Sequence, residues 1–196
     1  MRKTVRRLMT ALIIVILLLG GAAWWLLAYI APDEPRDMAY TPIDLKEKAL
    51  DVIRSMKPEL VLTEDEINAL IKMHMKEKYA SVSEGEASLW LAEDVQLEGA
   101  TFELEEDELL AHLNILYKGR IRAQLDAVYT LEWQETSIVL TPQSLSMKSL
   151  SLPLGLLERI EVPLNLPALD VISLNNVQFK KDKILLVFKL QLINPF

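Results

Sequence analysis

The feature that most constrains this chain is an uninterrupted apolar run near its amino terminus. Residues Leu8 to Ile30 include no charged side chain. A helix of this length, rising about 1.5 Å per residue, can cross the roughly 30 Å hydrocarbon core of a bilayer. Its aliphatic side chains each favour insertion by about 0.3–0.6 kcal/mol near the helix centre. The run therefore predicts a transmembrane anchor.

The residues on either side of this run predict its orientation. Four cations precede it: Arg2, Lys3, Arg6 and Arg7. Three aromatic residues mark its other end: Trp24, Trp25 and Tyr29. Segments rich in Lys and Arg stay in the cytoplasm, and Trp and Tyr gather at membrane interfaces. We therefore expect the amino terminus inside the cell and everything after Pro32 outside it.

The alternative interpretation of the run is a cleaved secretory signal, because residues 21–23 are small enough for a cleavage site. However, the apolar run continues to Ile30, whereas the apolar region of a signal is usually about 7–15 residues long. We therefore predict a single-pass protein of the cell membrane. Its parts are a cytoplasmic basic start with the anchor (1–31), a linker (32–40) and an extracytoplasmic α+β domain (41–196).

Composition excludes several classes of function. The chain has no cysteine, which excludes disulfide bonds, thiol catalysis and a lipoprotein anchor. Beyond position 31 there are 17 basic and 28 acidic residues, which gives this part a formal charge of −11. Such a domain repels nucleic acid, so we expect no nucleic-acid partner. Any contact with anionic lipid has to be hydrophobic.

Two helices are predicted after the linker. Thr41-Pro42 is typical of a helix start, an N-cap followed by proline at the first position, and Pro58 ends that helix. The sequence from Thr63 to Glu66 has the spacing of a capping box. It predicts a second helix that runs to about Tyr79.

From Glu86 onward the apolar residues recur with a period of two, which is typical of strands. The clearest strand has these residues on one face: Ile121, Ala123, Leu125, Ala127, Tyr129, Leu131 and Trp133. We also expect a hairpin bend at 98–100, a bulge at 148–149, a short helix over 154–160 and a last hairpin within 171–192. The order of elements predicts an α+β fold: an N-terminal transmembrane helix, two helices, then a long, curved, mainly antiparallel sheet that wraps a helix.

Few residues could support catalysis. His74 and His112 lack the spacing of a metal site, and no third ligand is near them in the sequence. The acidic run 103–108 lacks the glycine of a calcium loop and is typical of a solvated hairpin. The sequence contains neither a nucleophile elbow nor a phosphate-binding glycine loop. We therefore expect a protein that is not an enzyme and has no metal site and no cofactor.

The apolar face of the long strand allows two interpretations. In the first, the two helices cover the sheet and every apolar side chain belongs to the core. In the second, the sheet leaves open an apolar groove of about 300–1,000 Å³, a size typical of ligand sites. The residues predicted to line this groove are Ile121, Leu125, Tyr129, Leu131 and Trp133, with Leu154, Leu156 and Leu157 at its mouth.

Three features occur in a fixed order along the chain. They are the short anchor, the helix motif Thr63-Glu-Asp-Glu-Ile-Asn-Ala-Leu-Ile71, and the segment Leu145-Ser-Met-Lys-Ser-Leu-Ser-Leu-Pro-Leu154 before a short helix. The same three features occur in the same order in the YpmS-like bacterial membrane-anchored proteins, a family without an established activity, and the chain resembles that family in this respect. The helix motif, with Asn68 inside it, and the later strand–proline–helix segment are also similar to parts of the tubular lipid-binding superfamily. Members of that superfamily wrap a twisted sheet around a helix and bind lipid in an apolar channel.

The resemblance covers roughly residues 8–192 and implies a role in binding or handling lipid in the cell envelope, without catalytic residues. Our first functional hypothesis is therefore a membrane-anchored extracytoplasmic domain that binds a lipid or another apolar ligand. The alternative is a scaffold or accessory subunit of an envelope protein complex, with a filled core. An enzyme would need a polar cluster formed by residues distant in the sequence.

Overall fold

The computed structural model of the protein describes residues 2–55, 59–83, 86–164 and 173–189. In these residues the helices are α1 (Arg2–Ile30), α2 (Leu45–Ser55), α3 (Glu64–Tyr79) and a 3₁₀ helix (Leu154–Leu156). The strands are β1 (Glu59–Thr63), β2 (Ala80–Ser83), β3 (Glu86–Ala92), β4 (Val95–Glu105), β5 (Glu108–Tyr117), β6 (Ile121–Gln134), β7 (Ser137–Met147), β8 (Leu150–Ser151), β9 (Ile160–Pro163), β10 (Ser173–Lys180) and β11 (Lys183–Lys189). The predicted α+β class is confirmed.

Helix α1 contains the predicted apolar run. Residues Val5–Ile30 form a helix that is long and apolar enough to cross a membrane. The side chains of residues 5–29 are all exposed, so this helix lies clear of the rest of the protein. Ile30 at its end is partly buried and packs against the core. The helix therefore meets the domain only at its last turn.

The two predicted helix starts have different outcomes. The prediction that the first helix begins at Thr41-Pro42 is wrong, because α2 begins at Leu45. The Asp44 carboxylate accepts hydrogen bonds from the backbone N–H groups of Lys46 and Glu47, and it therefore serves as the N-cap. The capping box of α3 is confirmed. The Thr63 N–H donates to Glu66 Oε2 at 2.9 Å, and the Glu66 N–H donates to Thr63 Oγ1 at 3.4 Å.

The larger sheet is antiparallel, with strands β2 to β8 side by side in chain order and β9 paired with β7. Strand β6 has 14 residues, which confirms the long strand predicted from its alternation. The predicted hairpin bend at 98–100 is wrong, because β4 continues through these residues with a register shift between Leu97 and Gly99. The chain turns instead after Glu105, where Asp107 has a φ of 60°.

Two further predictions near β7 are wrong. No bulge occurs at 148–149, because these residues form the turn between β7 and β8, with Lys148 at a φ of 55°. The pairing of β6 with β7 shifts register instead at Gln143 of β7, which is the extra residue opposite Val128 and Tyr129. The helix predicted over 154–160 is only the 3₁₀ turn, because the chain becomes extended at Leu157 and enters β9 at Ile160.

A second, three-stranded sheet has the order β1–β11–β10. The last predicted hairpin is confirmed over β10 and β11, while its parts at 171–172 and 190–192 lie outside the described residues. Strand β1, between α2 and α3, was not predicted. Helix α3 contacts strands of both sheets, and its buried side chains form the centre of the core: Ile67, Leu70, Ile71 and Met75.

Candidate functional site

The inner face of β6, the side that faces α3, is where the groove was predicted. Tyr129 and Leu131 are buried there, whereas Ile121, Leu125 and Trp133 are partly exposed. Burial raises the pKa of Tyr129 to about 12, with the neighbouring Tyr79 adding to the rise, so its hydroxyl stays neutral at physiological pH.

Helix α3 fills the space beneath Leu131. The void between them has a volume of about 10 Å³. Its lining residues are Ile67, Leu70, Ile71, Leu131, Ile138, Leu140 and Val162. A void of this size holds about one water molecule, far less than a hydrocarbon chain requires. The middle of β6 is therefore packed core.

The three leucines predicted at the groove mouth lie along the edge of the larger sheet, next to β7. Leu157 is partly buried and packs against the core that includes Leu131. Leu154 and Leu156 are exposed. The structure thus brings Leu157 into one core with these β6 residues: Leu125, Tyr129, Leu131 and Trp133. Ile121, Leu154 and Leu156 are not part of that core. Ligand binding by these eight residues stays a prediction.

Part of the outer face of the sheet, around Asn114 and Gln124, is covered by the segment 31–40, which we call the strap. The strap begins beside β6, where the Asp33 N–H donates to Gln124 Oε1 at 3.2 Å. It then crosses β5 and β4, and the Ala100 N–H of β4 donates to the Asp37 carbonyl at 3.3 Å. The segment predicted to be a linker is therefore hydrogen-bonded to the sheet. A Cβ at Gly99 would overlap the backbone carbonyl of Arg36, so this close approach requires glycine.

Polar side chains on the outer face hold the strap. The Arg36 guanidinium donates to Asn114 Oδ1 and to Gln124 Oε1, both at 3.3 Å. Asn114 in turn donates to the Glu34 carbonyl at 2.8 Å. Asn114 and Gln124 are only 3% and 7% exposed. Since buried amides need partners, these bonds make the strap part of the folded domain.

Both ends of the strap have further contacts. At its start, Tyr29 Oη and Ser149 Oγ are 3.0 Å apart, and Lys148 forms an ion pair with Asp33. At its end, the Lys72 ammonium donates to the Ala39 carbonyl at 3.3 Å. Burial lowers the pKa of Lys72, although the nearby Asp37 carboxylate partly opposes this.

The strap network continues to a histidine. Gln124 donates to Asp126 Oδ1 at 3.0 Å, and the same oxygen lies 2.6 Å from His112 Nδ1. His112 Nε2 is 3.9 Å from Glu103. His112 lies half-buried on the outer face of β5, between these two carboxylates. Among the described residues, no three His, Asp or Glu side chains are arranged to hold a metal ion.

Asn68 and Glu64 close an open sheet edge. Strand β3 stops pairing with β4 at Leu97, which leaves the later N–H groups of β4 without a strand partner. Asn68 Oδ1 accepts from the Phe102 N–H at 3.3 Å, and Glu64 Oε2 accepts from the Leu104 N–H at 2.8 Å. Helix α3 therefore satisfies this edge with side chains.

A polar depression lies between α2 and α3 and has a volume of about 670 Å³. Its charged lining residues are Asp44, Glu47, Lys48, Asp51, Asp65 and Glu66. Lys48 lies 2.5 Å from Glu66 and is therefore already paired. Burial raises the pKa of Glu66, but hydrogen bonds from Lys48 and Thr63 outweigh this and lower it overall. The depression presents several acidic side chains to solvent.

The strap contacts and the role of α3 at the sheet edge were not predicted from the sequence. Weak signals were present, because Gly99 lies among strand residues and Asn114 interrupts an apolar strand. Neither signal identifies the segment that packs against it, since the strap is distant in sequence.

Comparison of the chain with protein-family models, with curated proteins and with solved structures found no match. The resemblance to the YpmS-like and tubular lipid-binding families therefore remains a prediction from the motifs. Within the helix motif that carries it, Asn68 has a structural role at the edge of β4.

Proposed function

We propose that the protein is a single-pass membrane protein of the bacterial cell envelope, with its amino terminus in the cytoplasm and its α+β domain outside. Helix α1, which is long and apolar enough to cross a bilayer, supports the anchor. The four basic residues before it support the orientation.

The domain acts in this proposal as a non-catalytic scaffold or accessory subunit of an envelope protein complex. The observation that carries the proposal is the contrast between interior and surface. The interior beneath Leu131 has about 10 Å³ of free volume, whereas the acidic depression between α2 and α3 has about 670 Å³. A partner that binds at the surface suits this geometry better than a lipid held beneath β6.

The chemistry of the depression points to a partner segment that carries positive charge. Glu47 and Asp51 are exposed on α2, and Asp65 is exposed on α3. Complementary charges raise association rates and suppress binding of wrong partners. A basic loop or helix of another envelope protein therefore fits this surface.

The test is photo-crosslinking in intact cells, with a photoreactive residue in place of Asp65 on α3. We expect a defined crosslinked product that weakens when Glu47→Gln and Asp51→Asn are introduced together. The matched control, Glu132→Gln with Glu161→Gln, removes the same charge from exposed positions on β6 and β9. Equal crosslinking in both double variants would contradict the proposal.

The lipid-carrier hypothesis makes a different prediction. If an apolar ligand occupies the domain, the protein extracted from native membranes should retain a lipid in native mass spectrometry after detergent removal. Our proposal expects the mass of the polypeptide alone. A bound lipid that is lost in Leu131→Asp, with the fold retained, would favour the carrier.

A further inference from the structure

The most exposed large apolar side chains of the described domain, outside α1, lie in one short segment. Leu156 is 67% exposed and Leu150 is 57% exposed. Leu154, between them, is 43% exposed. We call these three residues the leucine edge. Because these three exposed apolar side chains are close together in the sequence, the leucine edge is the described segment best suited to an apolar contact.

The leucine edge begins beside the point where α1 leaves the domain. Tyr29, at the last turn of α1, contacts Ser149, the residue before Leu150. From there the strap runs away from β8, first over Gln124 of β6 and then to Ala100 of β4. Helix α1 therefore joins the domain beside β8. Leu150 directly follows the residue that contacts Tyr29, an aromatic residue of the kind found at membrane interfaces.

The charged residues around the leucine edge are already bonded to the protein. Lys148 pairs with Asp33, Glu158 pairs with Lys78 at 3.0 Å, and Arg159 donates to Gln134 at 2.6 Å. Lys148 and Glu158 are thus neutralised by partners, and Arg159 is held by a neutral amide. An apolar surface whose neighbouring charges are bound in this way suits hydrocarbon better than a charged partner.

We propose that the leucine edge inserts into the outer interface of the same bilayer that α1 crosses. The occupant is the lipid surface, which the edge enters through hydrophobic contact. With α1 and the strap, this second contact fixes the tilt of the domain on the membrane. The inference rests on the proposed anchoring of α1. Interfacial segments bury their apolar side chains about 5–10 Å into the boundary between headgroups and acyl chains.

The experiment uses the full chain in vesicles of phosphatidylcholine and phosphatidylglycerol. Because the chain has no cysteine, single substitutions Leu150→Cys, Leu154→Cys and Leu156→Cys can each carry an environment-sensitive fluorophore. Leu50→Cys on α2 is the matched control, since Leu50 is 42% exposed and Leu154 is 43% exposed. Leu18→Cys on α1 reports the anchor. Thermal unfolding followed by circular dichroism checks that each variant folds.

We expect blue-shifted, several-fold brighter emission at positions 150, 154 and 156, quenched by lipids that carry a quencher in the chain. The fluorophore at position 50 should emit as it does in water. Added salt should leave the lipid signal unchanged, because the contact is hydrophobic.

If Leu18→Cys reports lipid while the leucine edge reports water, the leucine edge does not touch the membrane. The inference is then overturned, and a protein partner is the remaining occupant. If Leu18→Cys itself reports water, both the anchoring and the inference fail. The two failures are therefore distinguishable.

Discussion

The two faces of the larger sheet are closed in different ways. On the inner face, α3 packs apolar side chains against β6 and leaves a void of about 10 Å³. On the outer face, the strap covers Asn114 and Gln124 with hydrogen bonds to its backbone and to Arg36. On the inner face, the contact depends on how well apolar side chains fit together. On the outer face, it depends on the positions of individual hydrogen-bond donors and acceptors.

This difference assigns separate tasks to the two faces. Apolar burial of the kind seen on the inner face is the main source of folding stability. The strap instead connects the domain directly to α1. We therefore expect its hydrogen bonds to restrict rotation of the domain relative to that helix. Substitutions on the inner face should therefore affect stability, and substitutions under the strap should affect orientation as well.

The largest loss of stability is expected from a substitution on the inner face. Leu131→Ala removes a side chain that is 5% exposed and packed against α3. Truncation of a buried leucine lowers the free energy of unfolding by about 2–5 kcal/mol. Urea denaturation of the full chain in detergent measures this loss. Thr130→Ala on the opposite face of β6 is the control. A loss below about 1 kcal/mol would mean that β6 borders open space, as a groove requires.

The next effect concerns the closest approach of the strap. Gly99→Ala places a methyl group against the Arg36 backbone, so the strap has to shift. Overpacking of this kind costs about 1–3 kcal/mol. Amide hydrogen exchange at Ala100, whose N–H bonds to Asp37, should accelerate. Gly155→Ala is the matched control, because no atom lies within 4 Å of its Cβ position. Equal exchange in the two variants would contradict the packed strap.

A smaller loss of stability is expected at the edge of β4, where a side chain of α3 bonds to the backbone of the sheet. Asn68→Ala leaves the Phe102 N–H without its side-chain partner, which costs about 1–3 kcal/mol if the group stays buried. Asn68→Asp keeps an acceptor oxygen and should lose less. Thermal unfolding of both variants measures the difference. If the aspartate variant is as unstable as the alanine variant, the hydrogen bond is not what Asn68 contributes.

The smallest effect is the pH dependence of Lys72, beneath the end of the strap. Because its pKa in the folded protein is lowered, the unfolded chain binds more protons between that pKa and 10.5. Its contribution to stability therefore rises with pH across this window and is lost again as pH falls.

Lys72→Met removes this contribution. Denaturation across alkaline pH should show that the unaltered chain gains stability relative to the variant as pH approaches 10.5. At neutral pH the variant should be equally stable or slightly more stable, since methionine has no charge to desolvate. Parallel stability curves for the two chains would show that Lys72 is not buried under the strap.

Much of the fold was predictable because apolar periodicity reports the inner face directly. The alternation in β6 and the capping box of α3 are local patterns, and both occur as predicted. Chain reversals were harder to predict. Gly99 suggested a hairpin bend, whereas it permits the strap to approach an unbroken strand.

The outer face could not be predicted for a different reason. A strand shows the same alternation of polar and apolar residues in its sequence whether water or another segment covers its polar face. Gln124 is an example: it alternates with apolar residues as a solvated side chain would, yet it is buried under a segment about ninety residues earlier in the chain. The volume beneath Leu131 also depends on how closely α3 approaches, which periodicity does not report.

The central claim is that the strap holds the domain in one orientation relative to α1. The direct measurement is the distance distribution between spin labels at Leu27→Cys on α1 and Ser144→Cys on β7, for the full chain in lipid nanodiscs. A label pair at Leu50→Cys and Ser144→Cys, within the domain, gives the reference width. We predict one narrow distribution, as narrow as the reference, that broadens when Gly99→Ala is added. A broad distribution in the unaltered strap would contradict the claim.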